Sequence, residues 1–366
     1  MAALNVAELR ESALAAGADV FGVTSAAPFA EARHALESRK DAGLAGPLHF
    51  TYDDPETASD VKRTHPWAES IVVVGCDYLP RTGTPSETGA TVARFATRDH
   101  YERVRRVTGT LIDKLESAGA RASALIDDNQ LLDRAAAARA GLGWMGKSTM
   151  ILSPGHGPWL LFGSVATDLR LEPSEPMRRT CGTCVACIPA CPTGAITSEG
   201  LDGGRCISTW LQTSGPIPFW VRPLIERRIY GCDDCLTSCP PGFPAMGRIA
   251  VREPELSFAE LLAASDDELL DRFGHWYVPG REARFIRRNL LVAAGNSQEE
   301  SAVEGIFGHF GHRSSLVRGH AYWALARSIG IDGWAALRAA YDGETVPDAR
   351  RELENAVLML RVPTGG

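Results

Sequence analysis

The chain has 366 residues, 45% hydrophobic and 23% charged, with a net charge of −7. These values describe a globular chain able to bury a sizeable core, and the length predicts two or three domains. They argue against a generic nucleic-acid coat, and no run approaches the ~18 apolar residues of a membrane span.

In chain order, Glu8, Arg10 and Glu11 interrupt the N-terminus where a signal peptide needs an apolar stretch, so a cytoplasmic protein is expected. Ala7–Gly17 reads as an amphipathic helix and VFGVT (20–24) as a short strand. IVVVGC (71–76) is a continuous apolar run of the kind found in a buried strand. Arg98–Gly119 follows as a helix with Val104, Val107, Leu111 and Leu115 on one stripe and Gly119 at its end. Strand-like ASALI (122–126), a helix over Leu131–Ala140, and strand-like TMIL (149–152) and WLLFGSVAT (159–167) complete an α/β or α+β domain over 1–170.

Residues 171–250 are rich in Pro, Gly and Cys and lose periodicity, so they need a staple other than a hydrophobic core. From 251 to 366 the pattern is helical. RRNLLVAA (287–294) is echoed by RGHAYWAL (318–325) and, more faintly, around Arg350–Val357. Such spacing suits stacked HEAT-like helix pairs, with a plain helical bundle as the alternative.

Eight of the nine cysteines lie between 181 and 239. In a chain expected to be cytoplasmic, that density points to metal or redox chemistry rather than disulfides. Cys181, Cys184, Cys187 and Cys191 with Pro192 match the bacterial ferredoxin run C-x2-C-x2-C-x3-C-P, in which the fourth cysteine serves a second cluster. The pattern therefore demands a complementary set, and Cys206, Cys232, Cys235 and Cys239 with Pro240 meet it. Cys181, Cys184, Cys187 and Cys239 are assigned to one [4Fe–4S] cluster, and Cys191, Cys206, Cys232 and Cys235 to the other. Structural zinc is the competing reading, but it does not explain two Cys-x3-Cys-Pro endings. Cys76 ends an apolar run and reads as a small buried hydrophobe.

GLGWMGKS (141–148) matches both G-x-G-x-x-G and the P-loop pattern. Those motifs need a strand before and a helix after, whereas here a helix precedes and a strand follows. Gly141 reads instead as a helix C-cap, with Gly143 and Gly146 letting the backbone approach something bulky.

Taken together, AGLGWMGK (140–147), CPTGAI (191–196), CIS (206–208), RPLIERRIYGCDDC (222–235) and RRN (287–289) resemble the epoxyqueuosine reductase family, cobalamin-dependent iron–sulfur enzymes related to reductive dehalogenases. The resemblance spans the chain and is most specific from 140 to 240. It implies two [4Fe–4S] clusters feeding a base-off cobalamin, which reductively removes the epoxide oxygen of epoxyqueuosine at the tRNA wobble position. It further implies an external electron donor such as a flavodoxin or ferredoxin, and a monomer. By the same resemblance the proton donor is Asp127 in LIDDNQLLDR (125–134), and the cobalamin contacts are Asp127, Ile151, Phe162, Ser208 and Asp233. On its own residues Asp127 is equally readable as a helix N-cap, a role open to Asp127 or Asp128.

The substrate-facing half departs from the family pattern. Asp128-Asn129-Gln130 replaces a small residue, Ala and Pro; FATRDHY (95–101) is one residue short of the usual motif; TWLQT (209–213) stands for YLTIE; and an Arg is replaced near Ala58. A related reductase with another substrate and a non-catalytic electron carrier are the alternatives. Arg281, Arg284, Arg287, Arg288, Arg313 and Arg318 form either an RNA-phosphate face or solvated helix surfaces.

Overall fold

The fold is given by a computed structural model. It describes residues 4–198, 200–247, 249 and 251–360, so the expected domain limits at 1, 250 and 366 lie outside the described residues. The chain divides into two compact units: Met1–Thr82, Thr97–Gly204 and Asp233–Ala250, and Gly83–Ala96, Arg205–Cys232 and Val251–Gly366.

The first unit is built on α1 (Val6–Ala16), β1 (Val20–Ser25), α2 (Ala30–Asp41), β2 (Ser70–Asp77), α3 (Tyr101–Ser117), β3 (Ala122–Leu125), α4 (Asp133–Arg139), β4 (Trp144–Met145), β5 (Ile151–Leu152) and β6 (Leu160–Thr167). The sheet runs β1-β2-β6-β3 with every neighbouring pair antiparallel, which makes the unit α+β. Every residue of β2 is buried, as its unbroken apolar run predicts for a strand covered on both faces. Each such Val or Ile stabilises the unit by about 1.5–3 kcal/mol.

Alternation along the strands sorts their side chains into two cores. Val72, Val74 and Val165 meet Leu9 and Ala13 of α1 and the predicted stripe Val104, Val107, Leu111 and Leu115 of α3. Ile71, Val73 and Ala166 meet Leu131, Ala136 and Ala137 at α4, together with Ile151. Two glycines permit this closeness. A Cβ on Gly22 would lie 2.0 Å from the Ala140 carbonyl oxygen, and one on Gly163 would lie 2.4 Å from Val104 Cγ1.

Helix ends follow local chemistry. The Asn5 side chain accepts the Glu8 N–H at 3.0 Å to start α1, and Gly17 at φ 109° closes it. Helix α4 is shorter than the Leu131–Ala140 periodicity predicts. The Asp128 carboxylate holds the Gln130 N–H at 2.9 Å, and the Asp128 carbonyl holds the Leu131 N–H at 3.2 Å, so the chain turns before it coils.

The second unit carries α5 (Ala283–Ser297), α6 (Glu300–Gly308), α7 (Ser315–Ile329), α8 (Trp334–Gly343) and α9 (Pro347–Met359). The three repeat segments fall on α5, α7 and α9, which stack in that order, while α6 and α8 connect them. This is the helix-pair stacking the repeat predicts rather than a plain bundle. A buried ion pair ties the unit together: the fully buried Arg222 guanidinium donates to Glu352 at 2.9 and 2.7 Å and to the Ile217 carbonyl at 2.8 Å. Among the described residues no helix is long and apolar enough to cross a membrane.

Candidate functional site

Two Cys-x3-Cys-Pro segments make equivalent turns in the first unit. Each wraps one turn of helix, Cys187–Ala190 and Asp234–Thr237, and the two short helices pack together. Each then extends at the last cysteine, Cys191 at φ −78°, ψ 113° and Cys239 at φ −81°, ψ 113°. The hydrogen bonds repeat as well: Cys191 and Cys239 donate to the carbonyls of Ile188 and Leu236 at 3.3 and 3.1 Å, and accept from Gly194 and Gly242 at 3.1 and 2.9 Å.

Within that frame three cysteines of the first run act on the thiol of Cys239. Burial pushes the Cys239 thiol up to about 11, and the neighbouring thiols Cys181, Cys187 and Cys184 add to it. Cys187 and Cys239, both raised by burial with neighbouring thiols adding, are the kind of donor that fits an iron–sulfur cluster, because a bound metal relieves the cost of forming the thiolate. Of the second set, Cys191 and Cys235 belong to the first unit, and Cys206 and Cys232 to the second. The Cys191 sulfur accepts the Ala195 N–H at 3.2 Å, the kind of bond that steadies a cluster thiolate.

The P-loop look-alike has a different use. Gly141, at φ 75°, ends α4 as predicted, and β4 and β5 then pair as an antiparallel hairpin. What Gly143 approaches closely is the hairpin's own partner: a Cβ there would lie 2.5 Å from the Leu152 carbonyl oxygen. Lys147, at the hairpin end, donates to the carbonyls of Gly182 and Cys184 at 2.9 and 3.0 Å. It thus fastens the loop carrying the first two cysteines of the run. With a phosphate-binding role set aside, nothing in the motif points to this one, because the partners are backbone carbonyls.

Asp127 follows β3 in a left-handed conformation, φ 51°, which is uncommon for a residue other than glycine. It is no helix cap: α4 begins after Leu132 without a side-chain cap, and Asp128 takes the turn-forming bonds. Asp127 is exposed. The protein mass around it raises its carboxyl above the ordinary range, Arg134 opposes the rise and Asp128 adds to it. Leu125 and Leu131 on either side enter the same core as Ile151, against which Phe162 packs. The structure therefore brings Ile151 and Phe162 into one core, with Asp127 in the turn between two residues that enter it. An accessible acid with a raised pKa fits a reaction that needs a proton delivered to a departing group. Ile151 is only 1% exposed, so its side chain is spent in the core and its backbone is what it can offer a ligand. Asp233 opens the helix Asp234–Thr237, its carbonyl accepting from Leu236 and Thr237 at 2.8 Å each. Ser208 lies in the second unit, on the helix Ile207–Gln212, and its hydroxyl accepts from Gln212 at 2.8 Å.

Known proteins bear on this arrangement. Residues 180–242 match the family described as a 4Fe-4S double cluster binding domain. An epoxyqueuosine reductase of Bacillus subtilis (strain 168) is 32% identical over 97% of this chain and 95% of its own. The chain belongs to the epoxyqueuosine reductase family. A second member, from Xanthomonas campestris pv. campestris, is 32% identical over 88% of this chain and 95% of its own. A crystal structure of epoxyqueuosine reductase with an epoxyqueuosine-modified tRNA-Tyr stem loop aligns at TM-score 0.88 and 30% identity, covering 97% of this chain and 98% of that one. The Bacillus subtilis epoxyqueuosine reductase has also been solved with a catalytic aspartate loop swung out of its active site, at TM-score 0.86 and 29% identity over 96% of this chain and 98% of that one.

Against this family background the RRN motif proves structural. Arg288, fully buried, donates to the carbonyls of Thr213 and Trp210 at 2.8 and 3.0 Å, and Asn289 donates to Leu211 and Ile229 at 2.8 and 3.0 Å. The motif braces the segment that follows Cys206. Arg287 is held by Asp266 at 2.6 Å, and Arg318 by Glu344 at 2.7 Å. Of the six arginines considered for a phosphate face, Arg287 and Arg288 are therefore buried and Arg318 is half-buried, and backbone carbonyls and carboxylates already occupy donors of all three. Arg281 and Arg284 are exposed but engaged, and Arg313 shares Asp266.

Proposed function

We propose that this protein reduces epoxyqueuosine to queuosine at the wobble position of tRNA, using two [4Fe–4S] clusters and base-off cobalamin. The observation that carries the reading is Asp127: an accessible acid of raised pKa at a strand end, in a chain alike throughout to a reductase solved with an epoxyqueuosine-modified stem loop. Electrons enter from a flavodoxin or ferredoxin in the cytoplasm, and the protein acts as a monomer.

Cys181, Cys184, Cys187 and Cys239 hold one cluster, and Cys191, Cys206, Cys232 and Cys235 hold the other. When bound, cobalamin supplies the low-potential cobalt needed for reductive C–O cleavage. Phe162 and the Ile151 backbone form the wall beside it, with Ser208 and Asp233 as further contacts. Asp127 gives the departing oxygen a proton. Its raised pKa keeps it protonated closer to neutrality than an ordinary Asp, which is the state a general acid must start from.

The test is anaerobic purification, cluster reconstitution, addition of cob(II)alamin and assay on epoxyqueuosine-containing tRNA. Asp127→Asn is expected to lower turnover by roughly 10²–10⁴-fold with cluster absorbance unchanged. Cobalamin binding without tRNA turnover would instead identify a related reductase with another substrate, the reading favoured by Asp128-Asn129-Gln130 and TWLQT (209–213). No cobalamin binding at all would leave only electron carriage.

A further inference from the structure

Opening an epoxide to an alkene requires more than Asp127 holds. Both C–O bonds break, a C=C bond forms, and the oxygen leaves as water, so the balance is two electrons and two protons. The electrons come one at a time from the external donor through the clusters. Asp127 carries a single proton and must be recharged or assisted within each turnover.

A second acid lies six residues on, near enough for the Asp127 charge to act on it. Asp133, the first residue of α4, has an Oδ1 shut off from solvent and without a hydrogen-bond partner. A buried carboxylate oxygen left unpaired is costly, whereas a protonated carboxyl tolerates the site. Asp128 cannot serve the same purpose, since its two carboxylate oxygens accept from the backbone and side-chain nitrogens of Gln130 at 2.9 and 3.3 Å. We propose that Asp133 is the proton reserve of the site, holding the second proton of the reduction and returning it through Asp127. This rests on the proposed function and deepens it.

The surroundings agree. Burial first, and then the Asp127 charge, push the Asp133 carboxyl up to about 8, with Arg134 opposing and Asp128 adding. The strands packed on α4 add almost nothing ionisable: β1, β4, β5 and β6 have no titratable side chain, and β2 has only Cys76 and Asp77 at its far end. Asp77 is itself paired with His156 at 2.8 Å. The sign is direct. Below about pH 8 Asp133 is neutral and holds its proton, and above that value it is ionised and the reserve is empty.

Two measurements test this. Infrared pH titration of the cobalamin-free protein should show a protonated carboxyl persisting to about pH 8, absent in Asp133→Asn. With cobalamin and epoxyqueuosine-containing tRNA, kcat should fall above that pH in the wild type. In D133N it should be about tenfold lower, with KM little changed and the alkaline limb gone. Asp133→Glu should restore the limb, and unchanged cluster absorbance reports that each variant folds. The proposal is overturned if no carboxyl titrates above neutrality, or if D133N keeps the wild-type rate and pH profile. If the wild type does not turn over this tRNA, the proposed function fails, and the infrared titration alone decides whether Asp133 holds a proton.

Discussion

Replacing Lys147 by Met removes a charge while keeping most of the stem. In the wild type its ammonium bonds the Gly182 and Cys184 carbonyls at 2.9 and 3.0 Å, and its charge lowers the Cys187 pKa against burial. Both observations aim the cation at the ligand loop of the first cluster. Lys147 is exposed, so water screens it, and its pairwise electrostatic contribution is about 1 kcal/mol rather than the several expected in a dry site. A nearby cation favours the reduced, more negative cluster, and for a one-electron couple that energy corresponds to about 40 mV. Lys147→Met should therefore lower one midpoint potential by that amount in an EPR-monitored redox titration. The shift should shrink in high salt, and Lys147→Arg should largely keep the wild-type value. A midpoint that stays within ~10 mV of wild type, or an equal shift in the Arg variant, would refute the electrostatic argument.

Cys206→Ser should cost one cluster only, taking iron content from about eight to about four per chain while the other cluster's EPR signal remains; loss of both signals would contradict the division of ligands. Glu352→Gln strands the buried Arg222 guanidinium without its counter-charge, and a loss of about 3–5 kcal/mol is expected in denaturant unfolding of the second unit. Glu344, nearly buried, is held down to about 2 by Arg318 and also accepts from the Val346 N–H and the Tyr322 hydroxyl. Its contribution to stability is complete above the unfolded carboxyl value of about 4.3 and disappears as pH falls from there toward its folded pKa. A pH series of melting temperatures should show this slope in the wild type and a flatter one in Glu344→Gln.

Much of this was legible in the sequence, and the reasons differ by element. The strands and the α3 stripe were readable because each burial pattern has a period of its own: none for β2, covered on both faces, and 3.6 for α3. The helical repeat was readable because α5, α7 and α9 each have to solve the same packing problem. The double-cluster segment was readable from cysteine spacing, since a cluster imposes its geometry on the loop that wraps it. Asp127 came through family resemblance, because one residue at a strand end carries no pattern. What stayed hidden was long-range and polar. Lys147 reaches 35 and 37 residues along the chain to two carbonyls, and Arg288 reaches 78 residues to Trp210. Side chains that bond backbone carbonyls leave no partner residue type to look for. For that reason the RRN arginines read as surface charge and proved to be braces. Asp133 was hidden differently, inside a motif where attention falls on its neighbour.

The matching turns at Cys191-Pro192 and Cys239-Pro240 have a consequence for the history and engineering of the segment. Two stretches with the same dihedrals and the same bonds at the same offsets behave as interchangeable parts, as expected of a duplicated unit whose copies have since diverged between their cysteines. The residues in those gaps, Ile188-Pro189-Ala190 and Leu236-Thr237-Ser238, are then free to differ, because the frame depends on the cysteines, the prolines and the two glycines three positions on. A chimera carrying one gap in both places should assemble the same frame, which makes the segment a module that can be re-tuned one side at a time.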